Sequence, residues 1–460
     1  MKKSGFYFCM LFCLLSVQSL PQHFVPVNGV GTDRDIKCML TDTIHNLLYI
    51  GGGFSKAGNL NIGAIASYDG TNFDSLPGSG IATGCCPNPT WAMGMYYNNL
   101  ILGETWYFDW VQHKSHYIVQ WNGIQWDTIA GWLDMPNSGN TNLPLCFLEH
   151  NGELYVGGSF IKIGGNPQCV DLAKWNGSQW TGITTGLDSS TWPGNLVALC
   201  FYDNKLYYGG YFGGDSIVDF GYLDSLNNPH PVPGFVDHLY GGPGTFAIYH
   251  NEFYVGGGFT KAGGNAGNYI MKWNGATWQD VGGGMSGAGS CAVEQLIVYN
   301  DNLYACGVFS YAGGVHADNI ARWDGNSWYA LSTDSFAADI YCMAFFKNEL
   351  YISTANDYNY FAKYTGTLPN GINENTATIN SFSVSPNPAT KKVVVSFSRP
   401  LPSAGMVVIT NVLGQNALPP IHLSKGEGRK EIDISELARG VYFVRVRSEE
   451  KQWVEKIVVE

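Results

Sequence analysis

The sequence predicts an all-β protein: a seven-bladed β-propeller closed by its N-terminal strand, followed by a small Ig-like β-sandwich. Three observations lead to this prediction. A short phrase recurs seven times along the chain. The composition is rich in glycine (58 residues) and aromatic side chains (14%) but poor in charged ones (13%), which is typical of turn-rich β proteins. From residue 379 onward, the strand pattern changes.

The recurring phrase reads Leu-Tyr-x-Gly-Gly, with substitutions. Its copies begin at Leu48, Leu100, Leu154, Leu206, Phe253, Leu303 and Leu350. Successive copies lie 47 to 54 residues apart. A period of this length, made of short strands and turns, indicates one propeller blade per repeat.

The third repeat shows the expected blade. Its four strands are predicted over residues 145–149, 154–158, 170–175 and 180–184. Asn176 and Gly177 join the last two strands, because Asn-Gly suits a hairpin turn with positive φ at both central positions. Trp175 and Trp180 flank this turn, and aromatic residues recur at these positions in most other repeats. We expect these rings to fill the core between adjacent blades.

The seventh repeat predicts how the ring closes. It ends at Tyr364 without the fourth strand that carries the second aromatic residue. Residues 24–29, near the start of the chain, resemble residues 278–283 of the fifth repeat. We therefore expect the N-terminal strand to complete the seventh blade, which leaves no sheet edge exposed.

The di-glycine that ends one strand and the aromatic pair that follows it resemble the kelch type of propeller over residues 24–366. The resemblance implies the fold and leaves the function open, because kelch-like propellers include binding modules and enzymes. Residues 211–242 depart from the pattern, since the fourth repeat lacks Trp-Asn-Gly-x-x-Trp. We expect irregular outer strands in that blade.

The sequence predicts four segments: a signal peptide, a propeller, a polar linker and a C-terminal domain, over residues 1–19, 20–367, 368–378 and 379–460. Lys2 and Lys3 precede a short apolar run, and Val17-Gln18-Ser19 is an acceptable cleavage triplet. That run is too short to span a bilayer as a permanent anchor, and no later stretch qualifies as transmembrane.

The C-terminal segment carries Pro-Asn-Pro-Ala, Leu-Gly-Gln, Gly-Val-Tyr-Phe and a terminal Lys-Ile-Val-Val-Glu, in that order. It resembles the type A C-terminal sorting domain of the type IX secretion system of Bacteroidota. The resemblance implies export to the periplasm, recognition by the outer-membrane machinery, removal of the tail, and surface attachment or release. It implies a sorting signal that includes Pro386, Asn387, Pro388, Gly414, Gly440 and Lys456. The alternative is an adhesive sandwich appended to the propeller.

The net charge of the chain is −12, and the acidic excess lies in the propeller segment. The propeller segment contains no basic stripe. Nucleic acid and anionic membranes are therefore not expected as partners, because both bind through clustered Lys and Arg.

Nine cysteines follow the predicted signal peptide. Cys146, Cys200 and Cys342 occupy one face of equivalent strands, where cysteine usually acts as a small buried apolar residue. Cys85 and Cys86 lie in a loop and are the best candidates for a disulfide, with Cys38 or Cys169 as partners. No paired CxxC spacing indicates structural zinc.

Connectivity predicts where a ligand binds. In a four-stranded meander, the connections between the second and third strands and those between blades share one face, and here both kinds are long. Long loops are where binding usually resides. The second repeat is the outlier on this face, and we expect a sugar-binding site formed by Trp106, Tyr107, Asp109, Trp110, His113 and His116, with Trp132 and Trp192 on neighbouring connections. The alternative is that alternate residues of this segment pack into the blade.

Signals of catalysis are weak. The sequence shows no nucleophile elbow, no HExxH and no phosphate-binding loop, and His113 and His116 lack a clear third metal ligand. No cofactor or metal is therefore predicted.

The sequence predicts a secreted or cell-surface binding protein, exported by the type IX system, that recognises a glycan or a protein. The alternatives are a carbohydrate-active enzyme that uses loop carboxylates and a structural surface-layer role. The carboxylates considered are Asp109, Asp134, Asp188 and Asp215.

Overall fold

The computed structural model describes seventeen stretches of the chain: residues 24–76, 90–103, 108–109, 114–115, 118–129, 133–134, 143–160, 162–185, 194–211, 219–236, 241–331, 339–355, 357–369, 382–397, 405–411, 417–448 and 452–459. The predicted signal peptide and most of the predicted linker lie outside these residues. The chain divides into two compact units, with the division after Gly371.

In the described residues, the first unit contains seven four-stranded antiparallel sheets that form blades and an eighth four-stranded sheet in the loops. From the axis outward, the strands of blade 1 are Ile36–Asp42, Leu47–Gly52, Ile65–Tyr68 and Phe73–Asp74; of blade 2, Ala92–Tyr96, Asn99–Gly103, Ile118–Trp121 and Trp126–Thr128; of blade 3, Leu143–His150, Glu153–Ser159, Leu172–Trp175 and Trp180–Gly182; and of blade 4, Asn195–Tyr202, Lys205–Tyr211, Phe220–Leu223 and Pro229–Pro231.

In the same order, the strands of blade 5 are Pro243–Tyr249, Glu252–Gly257, Ile270–Trp273 and Trp278–Asp280. The strands of blade 6 are Ala292–Tyr299, Asn302–Val308, Ile320–Trp323 and Trp328–Ala330. The strands of blade 7 are Met343–Phe346, Glu349–Ser353, Phe361–Tyr364 and Phe24–Pro26. Two short 3₁₀ helices, Val27–Gly29 and Asp357–Tyr360, complete the unit together with short strands in the loops. The fourth blade keeps a regular four-stranded ladder, so the expected irregularity of its outer strands is wrong.

The N-terminal strand completes the seventh blade, as predicted. Phe24 pairs with Tyr364 and Val25 with Lys363, and the Phe24 and Tyr364 rings lie 5.1 Å apart between centroids. The inner strand of each blade contacts that of the next, and the inner strand of blade 7 contacts that of blade 1. The ring of seven blades is therefore closed.

The tryptophan pairs pack in the core, as predicted. Trp175 and Trp180 are each 8% exposed, and their rings lie 5.2 Å apart between centroids. They cluster with Tyr96 and Ile101 of the preceding blade. In blade 6, the indole nitrogen of Trp328 donates a hydrogen bond to the carbonyl of Val281. Val281 directly follows the outermost strand of blade 5, so this bond also joins neighbouring blades. These rings fill the space between neighbouring sheets.

The di-glycine phrase has a steric cause at the axis. The second glycine of the phrase is Gly52 in blade 1 and Gly257 in blade 5, and a Cβ at either would meet the carbonyl oxygen of Asp35 or Gly242, just before the paired inner strand. Inner strands are bulged there, with register shifts at Ile36/Cys38, Pro144/Cys146, Leu196/Ala198, Pro243/Thr245 and Val293/Gln295. Glycine is needed because the bulge brings the two backbones together.

The first glycine of the phrase lies against the next blade. A Cβ on Gly51 would lie 2.9 Å from the Thr90 methyl carbon, and one on Gly256 would lie 2.7 Å from a methyl carbon of Val293. The residue after each bulge spans the same junction. Cys38 lies 3.5 Å from the Thr90 carbonyl, the amide of Leu296 donates to the Thr245 hydroxyl at 3.0 Å, and Gln295 accepts from the Met343 amide at 2.7 Å.

The cysteines of the inner strands belong to these junctions. Cys146 and Cys342 lie against the carbonyls of Leu196 and Ile36 in the next blade. Cys200, two positions further along its strand, packs against blade 5. Cys342 is buried, as predicted, and burial raises the pKa of its thiol to about 12, whereas Cys146 and Cys200 are only partly buried and pack against the apolar core.

One of the two candidate partners in the predicted disulfide, Cys169, is wrong. Cys169 is fully buried in the core of blade 3 and forms no disulfide, because apolar side chains surround it. Cys85 and Cys86 lie outside the described residues, so their pairing with Cys38 stays a prediction.

The second unit is a β-sandwich, as predicted. One sheet contains Phe382–Ser385, Lys392–Phe397 and Arg429–Asp433, and the other contains Ile421–Leu423, Gly405–Asn411, Gly440–Ser448 and Gln452–Val459. Alternate residues of both sheets form one core, with Val393, Val407 and Val444 fully buried. This alternation is what two packed antiparallel sheets require.

We predict that Gly257→Ala destabilises the propeller by about 1–3 kcal/mol, because its methyl group would overlap the backbone before the bulge. Gly244→Ala is the matched control in the same blade, since the nearest atom to its Cβ lies 4.0 Å away. Urea unfolding of the full chain measures both variants. Equal midpoints for Gly257→Ala and Gly244→Ala would contradict the steric account.

Candidate functional site

The two kinds of long connection lie on one face, as connectivity predicts. Met285–Ser286, between blades 5 and 6, pairs with Tyr311–Ala312 inside blade 6. Leu133–Asp134, between blades 2 and 3, pairs with strands of the inner connections of both blades, Lys114–Ser115 and Lys162–Ile163. We call this side of the propeller the loop face.

A cavity of about 360 Å³ lies on the propeller axis. Residues that lie in or just before the inner strands of all seven blades line it. Each inner strand follows a connection between blades, so its first residues lie near the loop face. The cavity is therefore the axial opening on that face, and we call it the axial pocket.

The rim of the axial pocket consists of one equivalent residue from each blade, which lies at the bulge in blades 1, 3, 4, 5 and 6 and just before the inner strand in blades 2 and 7. In blade order these residues are Lys37, Trp91, Leu145, Val197, Gly244, Glu294 and Tyr341. The rim is asymmetric. Blades 6, 7, 1 and 2 supply charged and aromatic side chains, whereas blades 3, 4 and 5 supply two aliphatic side chains and a glycine.

The floor of the axial pocket is apolar. Two positions deeper along the inner strands lie Met39, Met93, Phe147, Leu199, Phe246 and Leu296. Polar atoms nevertheless supply most of the exposed surface of the pocket, so a bound group would meet these apolar side chains mainly below the rim. Polar groups in a concave site fix the orientation of a ligand.

Lys37 is held within the wall of the pocket. Its ammonium nitrogen lies 2.6 Å from a carboxylate oxygen of Asp35. The same nitrogen lies 4.1 Å from the ring centroid of Tyr341 and 5.5 Å from that of Trp91. The ion pair and the two aromatic faces together restrain the side chain, since a cation is attracted to the face of an aromatic ring.

Glu294 has different surroundings. No group in the described part of the chain donates a hydrogen bond to its carboxylate or forms an ion pair with it at close range, and the side chain remains accessible from the pocket. Partial desolvation by the channel wall raises its pKa above the ordinary value of 4.5, the Asp339 carboxylate raises it further, and Lys37 opposes both. Burial also raises the pKa of Tyr211, with a contribution from Glu294, which places that ring within electrostatic reach of the carboxylate.

The sequence-predicted ligand residues are only partly described. Trp106, Tyr107, Trp110, His113, His116, Trp132 and Trp192 lie outside the described residues, and the binding role assigned to them stays a prediction. Asp109 lies in the short strand Phe108–Asp109. Among the described residues, no three His, Cys, Asp or Glu side chains converge as metal ligands.

The backbone register places two of the loop aspartates opposite lysines. Asp109 pairs with Lys114, Lys114 pairs with Asp134, and Asp134 pairs with Lys162. Acidic and basic residues thus alternate in the backbone register across one row of a four-stranded sheet. Asp188 and Asp215, the other carboxylates considered, lie outside the described residues.

Sequence reasoning missed the rim residues, although a signal exists. In six blades the rim residue lies nine positions before the first residue of the repeated phrase, as Trp91 does before Leu100. In blade 1 the separation between Lys37 and Leu48 is eleven, because its first hairpin turn is longer. Alignment on the phrase would have found this position, but only the bulge shows that its side chain faces the axis.

The sorting residues of the tail meet at the last strand. The side-chain amide of Asn387 donates to the Lys456 carbonyl at 2.8 Å, and its oxygen accepts from the Val458 amide at 2.9 Å. Asn387 therefore pairs with that strand as a backbone would. Pro386 and Pro388 flank it and are exposed, Gly440 pairs with Val459, and Gly414 lies outside the described residues.

The family model of the secretion system C-terminal sorting domain matches residues 383–460. The match confirms the resemblance read from the tail: the protein is exported by the type IX secretion system to the cell surface or the extracellular space, and the tail implies interaction with that machinery. No curated protein matches the chain. In the described parts of the chain, every helix falls short of the length and apolar character needed to cross a membrane.

We predict that Glu294→Gln makes the propeller more stable than the native protein at neutral pH, with the difference vanishing in acid. The raised pKa means that the folded state holds a proton that the unfolded state releases above pH 4.5. The stability of the native protein therefore falls as pH rises through this window. The stability of the Glu294→Gln variant lacks this decrease, because its side-chain amide does not titrate. Thermal unfolding between about pH 3.5 and 8 measures the difference. A difference independent of pH, or one shared by the remote Asp203→Asn control, would show that Glu294 carries no such cost.

We predict that Asn387→Ala exposes the end of the chain, because it removes two hydrogen bonds, each of which contributes about 1 kcal/mol. Hydrogen exchange of the full chain, followed by mass spectrometry, should show faster exchange in the peptide that contains Val458. His422→Ala, an exposed change in the same unit, should leave that peptide unchanged. Unaltered exchange in the Asn387 variant would show that this side chain does not secure the last strand.

Proposed function

We propose that the protein is an extracellular binding protein that recognises a glycan or a protein ligand through the loop face, with the axial pocket at the centre of the site. The observation that carries the proposal is the lining of this pocket. The rings of Trp91 and Tyr341 lie beside charged groups on one side of the rim, and aliphatic carbon lies opposite.

Several polar groups at the rim have no protein partner among the described residues. They are the indole nitrogen of Trp91, the phenol of Tyr341 and the carboxylate of Glu294. Such groups interact with water in the unbound protein and are available to a ligand, and polar groups in a concave site fix the orientation of what binds there. Trp91 is also 39% exposed, which is high for a large ring at the axis of a propeller.

The size of the pocket supports a glycan rather than the face of a folded protein. A volume of 360 Å³ lies near the lower end of the range for small-ligand pockets, about 300–1,000 Å³. A stable protein interface buries about 800 Å² on each partner and would need the surrounding loops as well. The proposal therefore places a terminal sugar or a single protruding side chain in the axial pocket, and the predicted contribution of the aromatic segment of the second repeat remains to be tested.

The export route agrees with this role. A protein delivered to the cell surface or released from it meets polysaccharides and surface proteins in the surrounding medium. The kelch-like reading of the repeat belongs to this proposal, since propellers of that kind commonly bind ligands at one face.

The alternative is a secreted carbohydrate-active enzyme, and one observation favours it. Glu294 has a raised pKa and lies within electrostatic reach of Asp339. Glycoside hydrolysis uses a pair of carboxyl groups, one of which has a raised pKa. Hydrolysis of a bound glycan by the native protein, abolished in Glu294→Gln while binding persists, would establish this alternative.

Glycan-array binding of the purified protein tests the proposal. Trp91→Ala should lower the signal of the bound glycans by about three- to ten-fold, because ring stacking contributes about 0.5–1.5 kcal/mol. Tyr329→Ala removes an exposed ring on an outer strand of blade 6 and is the matched control. Trp106→Ala and Trp110→Ala test the contribution of the loop of the second repeat. Binding that survives the Trp91 change and both loop changes would overturn the assignment to the loop face.

A further inference from the structure

We propose that the axial pocket selects ligands that carry a protonated amine, which binds beside the Glu294 carboxylate and the neighbouring aromatic rings. The inference rests on the proposed function and specifies the ligand chemistry of that site.

The first argument is the balance of charge around the pocket. Lys37 is the basic residue among those that line it. Its charge is already matched by Asp35, at 2.6 Å. Glu294 lines the rim, and Asp339, in the segment that leads into blade 7, lies within electrostatic reach of Glu294. One cation thus faces three carboxylates, and the local field attracts a cation and repels an anion.

The second argument is that Lys37, in the wall of the pocket, forms its ion pair with Asp35 and not with the Glu294 carboxylate. Lys37 is turned toward Asp35 and the ring of Tyr341, at distances that restrain its ammonium group. Glu294 receives no hydrogen bond from any described residue. A ligand amine would therefore supply the charged donor that the protein itself does not, and hydrogen bonds between charged groups are the stronger class.

The third argument is the aromatic and apolar surface of the pocket. Tyr341, from the blade that follows that of Glu294, and Trp91, which is 39% exposed, both line the rim. Ammonium groups are attracted to the faces of such rings. The apolar floor, with Phe246 and Leu296, would meet the carbon skeleton that carries the amine. Both an amino sugar and a lysine side chain combine an amine with such a skeleton.

Paired probes that differ only by acetylation test the inference. The glucosamine trimer and the N-acetylglucosamine trimer share one skeleton, and trilysine and its side-chain-acetylated form share another. Calorimetric titration of the full chain at about pH 6 should show at least ten-fold tighter binding of an amine form than of its acetylated form. Preference for the glucosamine trimer would identify a glycan source, and preference for trilysine would identify a protein source.

Two variants make the result specific to the pocket. Glu294→Gln keeps the size of the side chain and removes its charge, so the preference for the amine form should fall about ten-fold. Asp203→Asn makes the same change of charge in an exposed hairpin turn between the first two strands of blade 4 and should leave the preference intact. Equal loss in both variants would show attraction to the acidic surface in general and overturn the inference.

The outcomes separate the inference from the proposed function. Equal binding of the amine and acetylated forms, weakened by Trp91→Ala, would overturn the amine selectivity and leave the binding function in place. Binding of neither pair, together with an array signal that Trp91→Ala leaves unchanged, would overturn both.

Discussion

The close approach of neighbouring blades at the axis is the constraint on which the rest of the propeller depends. The first glycine of the repeated phrase allows the next inner strand to approach, and the second allows the bulge in its own blade. Once the bulge forms, the following side chain spans the junction, as Thr245 and Gln295 do with backbone amides of the next blade. The repeated phrase thus encodes a joint between blades rather than a binding motif.

The same constraint builds the axial pocket. In blades 1, 3, 4, 5 and 6 a bulge displaces one residue of the inner strand, and in blades 2 and 7 the equivalent residue lies just before that strand. Six side chains and one glycine are thereby presented to the axis. The scaffold fixes where these side chains lie, and the sequence is free to vary what they are. Polar and aromatic residues occur on one side of the ring, from Glu294 to Trp91, and aliphatic ones on the other, Leu145 and Val197. A symmetric fold thereby carries an asymmetric site.

Much of the fold follows from local chemistry in the sequence. Asn-Gly turns, such as Asn176-Gly177, and alternating strands predict the blade, and the missing outer strand after Tyr364 predicts closure by residues near Phe24. The site is less predictable, because which side chain faces the axis depends on a one-residue bulge and one-residue shifts exchange the faces of a strand. Aromatic residues in a long loop of the sequence, such as Trp106, are an obvious signal for binding. Lys37 and Glu294 give no such signal until the register of their inner strands is known. The sorting tail was recognisable because its motifs have fixed sequence, whereas the pairing of Asn387 with the last strand required coordinates.

Footprinting with hydroxyl radicals, in the presence and absence of a glycan selected on the array, tests the central claim most directly. That claim is that the rim residues of the axial pocket form the ligand site. The account predicts that ligand protects Trp91 and Tyr341 from oxidation while Tyr329, on an outer strand, stays equally reactive. Protection confined to residues 104–116 of the second repeat, with Trp91 and Tyr341 unchanged, would contradict it.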